Sequence, residues 1–403
     1  MTLERRFAAV CLACLLLGAA RAADDADAAL RSQLSQGLRK DLPSISMAIA
    51  TRRGVVWSGA VGYSDLETHT RADPSELYGI GSITKTFVAC VIEQLIDEGR
   101  LSLEANGRDL LGAEVLSGIP NADRATVREL LTHRSGVPSW ELDREWIRRG
   151  RGAELEPDRI WGKAETLDYL RSGRDPATNE PGQGYAYSNT NYTLLGLIIE
   201  KVTGHDAVAE VHRRVLDPLG LKDVHFEGFE RIDAHRLPSR YHFGTSEFTH
   251  QAGMHPMFKR VSPVLIDVSR SNLSVEWTAG AMVATMHDLA LFMRALRDGR
   301  VVGRAALARM QKFQASDDPD EDMGQGLARD RYGAETLIGY TGNVLGFGAA
   351  AGWVPGDDVV IALATNVGAM HAGDSAYYPE KLLKETSIIA AARRLAHALQ
   401  ARR

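Results

Sequence analysis

Cysteine is nearly absent. The 403-residue chain has three, and Cys11 and Cys14 lie together close to its start. Beyond them only Cys90 remains, and one thiol cannot close an internal disulfide. Cys90 sits among Phe87, Val88, Val91 and Ile92, the setting of a buried, inert thiol. Paired Cys/His spacings are lacking too, so nothing calls for zinc. A cluster of basic residues is missing: net charge is −5, and pairs such as Arg148-Arg149 and Arg393-Arg394 are scattered. That balance argues against a nucleic-acid partner or an anionic membrane surface. After the first twenty or so residues, no apolar run is long enough to span a bilayer. The chain carries no internal repeat and no long low-complexity stretch.

Three further patterns stop short of a site. His225, His235, His242, His250 and His255 crowd one region, but their spacing matches no metal motif. They are expected on solvated loops. Gly346-Phe347-Gly348 is too short for a dinucleotide fingerprint. The acidic stretch "SDDPDED", 316–322, lacks the calcium-loop pattern and reads as a loop.

What is present is ample core material, 44% hydrophobic residues. The start of the chain has the marks of an export signal. Arg5 and Arg6 precede an apolar run over 7–20, and Ala20-Arg21-Ala22 supplies small residues for cleavage. The expectation is a leader over 1–22 and a mature chain in the periplasm or secreted. A lipid anchor through Cys14 fits less well, because the apolar run continues past it.

Strand signals lie towards both ends. "SISMAIA" (44–50) and "GVVWSGAVGY" (54–63) flank "TRRG", which predicts a hairpin. "AETLIGYTG", "GFGAAAGWV" and "VVIALATNV" predict strands, the last two joined by a turn at Pro355-Gly356-Asp357-Asp358. Helical spacing marks 27–39 weakly and 379–400 clearly, with Leu382, Leu383, Ile388, Ile389, Leu395 and Leu399. Between these ends, helical patterns such as 127–131, 166–170 and 193–202 are joined by polar loops. The expected fold is α+β: an antiparallel sheet built from both termini, flanked by helices, with a helical insertion. The expected division is 1–22 leader, 23–100 with 272–403 as one discontinuous α/β domain, and 101–271 as the insertion.

The chemistry begins at "GIGSITKTF", 79–87. A phosphate-binding loop needs glycine immediately before its lysine, but here Thr84 precedes Lys85. Ile83, Phe87, Val88, Val91, Ile92, Leu95 and Ile96 recur at helical spacing, and Gly99 stops the run. Ser82 and Lys85 then share a helical face near an electropositive first turn. Burial there lowers a lysine pKa, and a neutral lysine can take a serine proton. Taken alone, this S-x-x-K reads better as an N-cap serine followed by a surface lysine.

Two later stretches alter that reading. "YAYSNTNYTLLGLIIE" carries Tyr187-Ser188-Asn189 just before an apolar helix, and "LIGYTGNVLGFG" carries Thr341-Gly342 on a strand ending in glycines. Together, in this order, these segments resemble the serine hydrolases related to class C β-lactamases and DD-peptidases. The Tyr-x-Asn form is closer to class C than to the Ser-Asp-Asn of class A. The likeness extends through "LLTHRSGVP", "LDPLGLKD" and "WTAGAMVATMHDLALFMRAL" to most of the chain beyond 22.

The resemblance implies Ser82 as nucleophile, Lys85 as its base and Tyr187 as the relay that activates water. It also implies Asn189 as an amide donor to substrate, an oxyanion hole from the N–H groups of Ser82 and Asn343, and a substrate edge along Thr341 and Gly342. His133 has the setting of a structural residue at a helix end. One position departs from the family: Tyr340 stands where Lys or His is common, and it brings one hydroxyl but no charge. Arg329, Arg331, Lys259 or Arg260 are the cations that loops could bring instead. The expected activity is hydrolysis of an amide, peptide or ester bond in a small-molecule or peptide substrate. No metal or organic cofactor is expected. A β-lactamase and a non-catalytic binding protein on the same fold are the alternatives.

Overall fold

The computed structural model describes residues 3–402, with side chains from Ala20 onward. Most of the expected leader lies outside the described side chains. Among the described residues, the main sheet has nine strands. They are β1 (Ser44–Thr51), β2 (Gly54–Asp65), β3 (Thr70–Arg71), β4 (Gln314–Ala315), β5 (Glu321–Met323), β6 (Ala328–Tyr332), β7 (Glu335–Val344), β8 (Phe347–Trp353) and β9 (Val360–Thr365). Their order across the sheet is β4-β5-β6-β7-β8-β9-β1-β2-β3, antiparallel throughout. The first and last parts of the chain meet where β1 pairs with β9, Ile45 opposite Thr365 and Ala50 opposite Val360. Runs of Val, Ile and Ala form these two strands because both of their faces are covered.

The helices that position the site or cover the sheet are α1 (Leu3–Leu38), α2 (Thr84–Asp97), α3 (Val127–Leu131), α4 (Asn189–Thr203), α5 (Met286–Arg297), α6 (Pro379–Glu385) and α7 (Ile388–Ala401). α1 and α7 pack together and against β1 and β2. Leu30 and Leu34 of α1 are fully buried there. α5 packs on β1, β8 and β9, and its Phe292 stacks on Phe87 of α2 with ring centroids 3.6 Å apart. None of the described helices is long and apolar enough to cross a membrane.

Residues 101–271 hold short helices and long loops, together with four short strands at 224–226, 241–243, 259–260 and 265–267. Segments of three residues are too short for alternation to reveal them in sequence. Strand 241–243 pairs in parallel with 367–368, immediately beyond β9. Asn366 secures that junction. It is fully buried, its Oδ1 accepts from Ser44 Oγ at 2.7 Å, and its Nδ2 donates to the Ser239 carbonyl at 3.0 Å. His242 corrects the expectation of surface histidines: it is buried in this small sheet, against Phe248 and the Met370 carbonyl.

Candidate active site

A single 3-10 turn, 81–83, leads into α2 and carries Ser82. Such a turn has three residues per revolution, so residue i+3 stands directly above residue i. Lys85 Nζ accordingly lies 2.9 Å from Ser82 Oγ. Two backbone anchors hold the turn: Ile80 N–H donates to the Met282 carbonyl at 2.9 Å, and Thr84 Oγ1 accepts from Met282 N–H at 3.2 Å.

Lys85 is fully buried. Besides Ser82, its Nζ meets Asn189 Oδ1 at 2.6 Å and the Ala279 carbonyl at 2.7 Å. Burial pulls its pKa below the usual lysine range, while the charges of Glu141 and Glu276 pull it back up. A neutral amine has two N–H groups and one lone pair. Asn189 and Ala279 take the two hydrogens, and the lone pair is left facing the Ser82 hydroxyl. The same geometry therefore serves the amine that accepts the serine proton.

Tyr187 comes from the extended residues before α4, and its phenol donates to Ser82 Oγ at 2.6 Å. Ser188 is extended and Asn189 opens the helix, so side chains 187 and 189 point the same way. Burial raises the Tyr187 pKa well above the usual phenol value, and Glu141 adds to the effect, so the phenol holds its proton at neutral pH. His133 aligns this segment. Its ring stacks on Tyr187 at a centroid distance of 4.3 Å, and its Nδ1 accepts from Ser188 N–H at 3.1 Å. That bond leaves the proton on Nε2, which faces Tyr340 Oη at 3.3 Å. Burial and the nearby Lys85 charge lower the His133 pKa well below 6.5, so the ring is neutral.

The remaining wall is β7. Gly342 runs so close to the Ser82 turn that a Cβ on it would lie 2.0 Å from the Ile80 carbonyl oxygen and 2.8 Å from Ser82 N. Gly81, with φ +50°, approaches from the other side, and a Cβ there would lie 2.8 Å from Asn343 N. Only paired glycines permit this contact. It sets the backbone N–H groups of Ser82 and Asn343 next to each other, and Ser82, in the first turn, has no intrahelical acceptor. The Asn343 side chain is turned away, its Oδ1 accepting from Ala369 N–H at 3.0 Å.

These groups surround a cavity of about 220 Å³ lined by Ser82, Tyr187, Tyr340, Thr341, Gly342 and Asn343. Asn189 stands behind it on Lys85. Its amide nitrogen, expected to meet substrate, donates to Glu141 instead. Glu141 also lines the cavity, and sequence reasoning missed it. A lone acid in the single 3-10 turn 140–142 carries no spacing signal. Glu141 feels burial and the charge of Glu276, which raise its pKa, against Lys85 and Arg151, which lower it. Glu276 is itself in a buried ion pair with Arg151. Glu321 and Glu380 line the cavity as well. Glu321 falls inside the acidic stretch read as a loop, but it opens β5.

None of the four proposed cations lines the cavity. Arg329 and Arg331 both pair with Asp322, Lys259 pairs with Glu67, and Arg260 donates to the Pro263 and Gly244 carbonyls. Tyr340 is nearly buried and committed to His133.

The sequence pattern of the family described as Beta-lactamase matches residues 22–383. Among curated proteins, esterase EstB of Burkholderia gladioli is 29% identical over 239 residues, 55% of this chain and 56% of EstB. Protein flp of Staphylococcus aureus strain MW2 is 28% identical over 210 residues, 51% of this chain and 40% of flp. The match thus spans only about half, or less, of these relatives. Among solved structures, D-amino acid amidase from Ochrobactrum anthropi SV3, complexed with L-phenylalanine amide, superposes with TM-score 0.77 at 25% identity. That alignment covers 93% of this chain and 99% of the amidase. D-stereospecific amidohydrolase from Streptomyces sp. gives 0.74 at 26% identity, covering 89% and 97%.

Proposed function

We propose, from the premise that this chain belongs to the beta-lactamase family, that it hydrolyses small amides or esters through an acyl group carried on Ser82. One observation carries the reading: Ser82 Oγ lies within hydrogen-bonding distance of both Lys85 Nζ and Tyr187 Oη, at 2.9 and 2.6 Å, at the wall of a cavity.

Ser82 Oγ attacks the substrate carbonyl carbon while its proton passes to Lys85 Nζ. The carbonyl oxygen gains the negative charge and is met by the N–H groups of Ser82 and Asn343. Each such donor is worth about 3 kcal/mol to the transition state. Collapse breaks the bond to the amine or alkoxide, which leaves with a proton relayed through Tyr187. Water then attacks the acyl carbon and gives up its proton to the same Tyr187–Lys85 pair, which returns it to Ser82 Oγ as the acyl–oxygen bond breaks and the acid is released. The raised pKa of Tyr187 fits a relay that hands on one proton as it receives another, rather than a resting phenolate.

Amide hydrolysis with D-stereochemistry at the acyl centre ranks first, because two solved relatives are described as D-specific amide hydrolases. Ester hydrolysis ranks second, through EstB. A β-lactamase ranks below both, since Tyr340 brings no cation to a substrate carboxylate. Removal of the leader at Ala22 and export remain part of the reading, and the mass of the mature N-terminus tests them.

The central test is labelling with a fluorescent phosphonate followed by peptide mapping. The expected adduct is on Ser82. Ser82→Ala should show neither adduct nor turnover, with an unchanged unfolding midpoint. Full turnover by that variant would reject the mechanism.

A further inference from the structure

The cavity beside Ser82 has an acidic flank. Glu321 and Glu380 line it beyond Thr341, and both also line an adjoining hollow of about 120 Å³ that adds Asp318, Asp320 and Asp330 together with Arg331, Lys381 and Lys384. Glu321 and Asp330 stand directly opposite each other across the β5–β6 ladder, an arrangement that costs stability when both are charged and nothing lies between them. Among the described residues, Glu321, Asp330 and Glu380 form no ion pair. The cations of the hollow have other partners: Arg331 pairs with Asp322, Lys384 with Asp320, and Lys381 donates to the Asp374 and Ala376 carbonyls. Softening comes from the hydroxyls of Ser316 and Thr341, near Glu321 and Glu380, and from the charge of Lys384, one turn from Glu380 on α6, which acts on Glu380 and Asp330. Burial and mutual repulsion push the Glu321 carboxyl up to about 7 and raise Asp330 and Glu380 as well. Glu141 adds a third carboxyl to the lining of the catalytic cavity.

We infer that this flank receives a positively charged group of the substrate, a primary ammonium or guanidinium, and turns carboxylates away. The inference rests on Ser82 as the nucleophile and specifies which amides or esters reach it. Glu321 and Glu380 line the catalytic cavity, Asp330 stands opposite Glu321 across the ladder, and among the described residues no basic side chain lines that cavity, which makes it a receptor for a cation. The same wall explains why Tyr340 can occupy a position without charge: nothing anionic has to be held there. Strand rise sets the reach. Thr341 lies two residues from Asn343, about 7 Å along β7. The charged group therefore sits about four to six bonds from the scissile carbonyl, on a side chain or leaving group rather than on the α-carbon.

The experiment compares aminopentanoyl, hydroxypentanoyl and glutaryl nitroanilides, with a second set carrying the same three end groups on the leaving amine. In the wild-type protein kcat/KM should fall in the order ammonium, hydroxyl, carboxylate, with at least about a tenfold span in one of the two sets, the scale of a favourable charge contact partly screened by water. In Glu321→Gln with Glu380→Gln the ammonium-to-carboxylate ratio should drop towards one. In Glu380→Lys it should reverse. Thermal unfolding checks that each variant is folded, and calorimetry of the same compounds with Ser82→Ala reads binding without turnover. Equal handling of ammonium and carboxylate by the wild-type protein, or a ratio unmoved in both variants, overturns the inference. Absence of phosphonate labelling at Ser82 would instead bring down the reaction itself. In that case the binding preference seen with Ser82→Ala still decides whether the flank takes a cation.

Discussion

Glu141 is where the resting charge of the site can be altered without touching a reacting atom. Its negative charge supports the protonated form of Lys85, and its carboxylate orients the Asn189 amide so that Oδ1 faces that amine. In the proposed mechanism the active lysine is neutral, so the rate should fall as pH drops and Lys85 takes up a proton. Glu141→Gln removes the charge but keeps an acceptor for Asn189. Lys85 should then lose its proton more readily, and the acid limb of the kcat/KM profile should move to lower pH. A limb that stays in place would mean the coupling is negligible. At this scale much was legible. Ser82, Lys85, Tyr187 and the Thr341-Gly342 strand stand in recognisable strings, and the structure brings them together. Glu141 was not legible, because its importance comes from one contact with a helix that begins 48 residues later.

At the scale of elements, the decisive contact is backbone against backbone. The Ser82 turn and β7 touch through Gly81 and Gly342, with no room for a Cβ. Gly342→Ala should push the strand off the turn, separate the two N–H donors and cost about a hundredfold in kcat, the scale of losing one of them. Gly356, in the β8–β9 turn, is the control. It has φ +76° and open space around it, so Gly356→Ala should cost about 1–2 kcal/mol through its left-handed backbone and leave kcat intact. Kinetics and unfolding midpoints for the two variants give this contrast directly. The long elements were readable, from the β1–β2 hairpin to the helical tail, because apolar periodicity ran over many residues; the break that divides that tail into α6 and α7 was not. The strands at 224–226 and 241–243 were not, since partners at 282–284 and 367–368 create them, and the neighbouring pair 259–260 and 265–267 is too short to show a pattern.

For the whole molecule, Asn366 is the fastening. It ties the end of β9 to β1 through Ser44 and to the 239–243 segment through Ser239, and it reaches the Tyr63 and Ser64 carbonyls at 3.3 Å. Asn366→Ala would leave buried acceptors without donors at several points. A loss of about 2–3 kcal/mol is expected, read as a lower unfolding midpoint with near-normal kcat below the transition. The acidic flank also belongs to this scale. Glu321 and Glu380 are 59 positions apart in the chain and meet only because β5, β7 and α6 converge at one end of the sheet. A string of acids in a sequence gives no sign that it will face a nucleophile.

The contact between Gly81 and Gly342 also governs timing. Ser82 leaves the ribosome early, but its hydroxyl meets Tyr187 across 105 positions and depends on a strand 260 positions further on. A growing chain therefore lacks a complete site until the strand that carries Gly342 has been made. The first turnover marks the moment the two distant ends of the polypeptide close on each other.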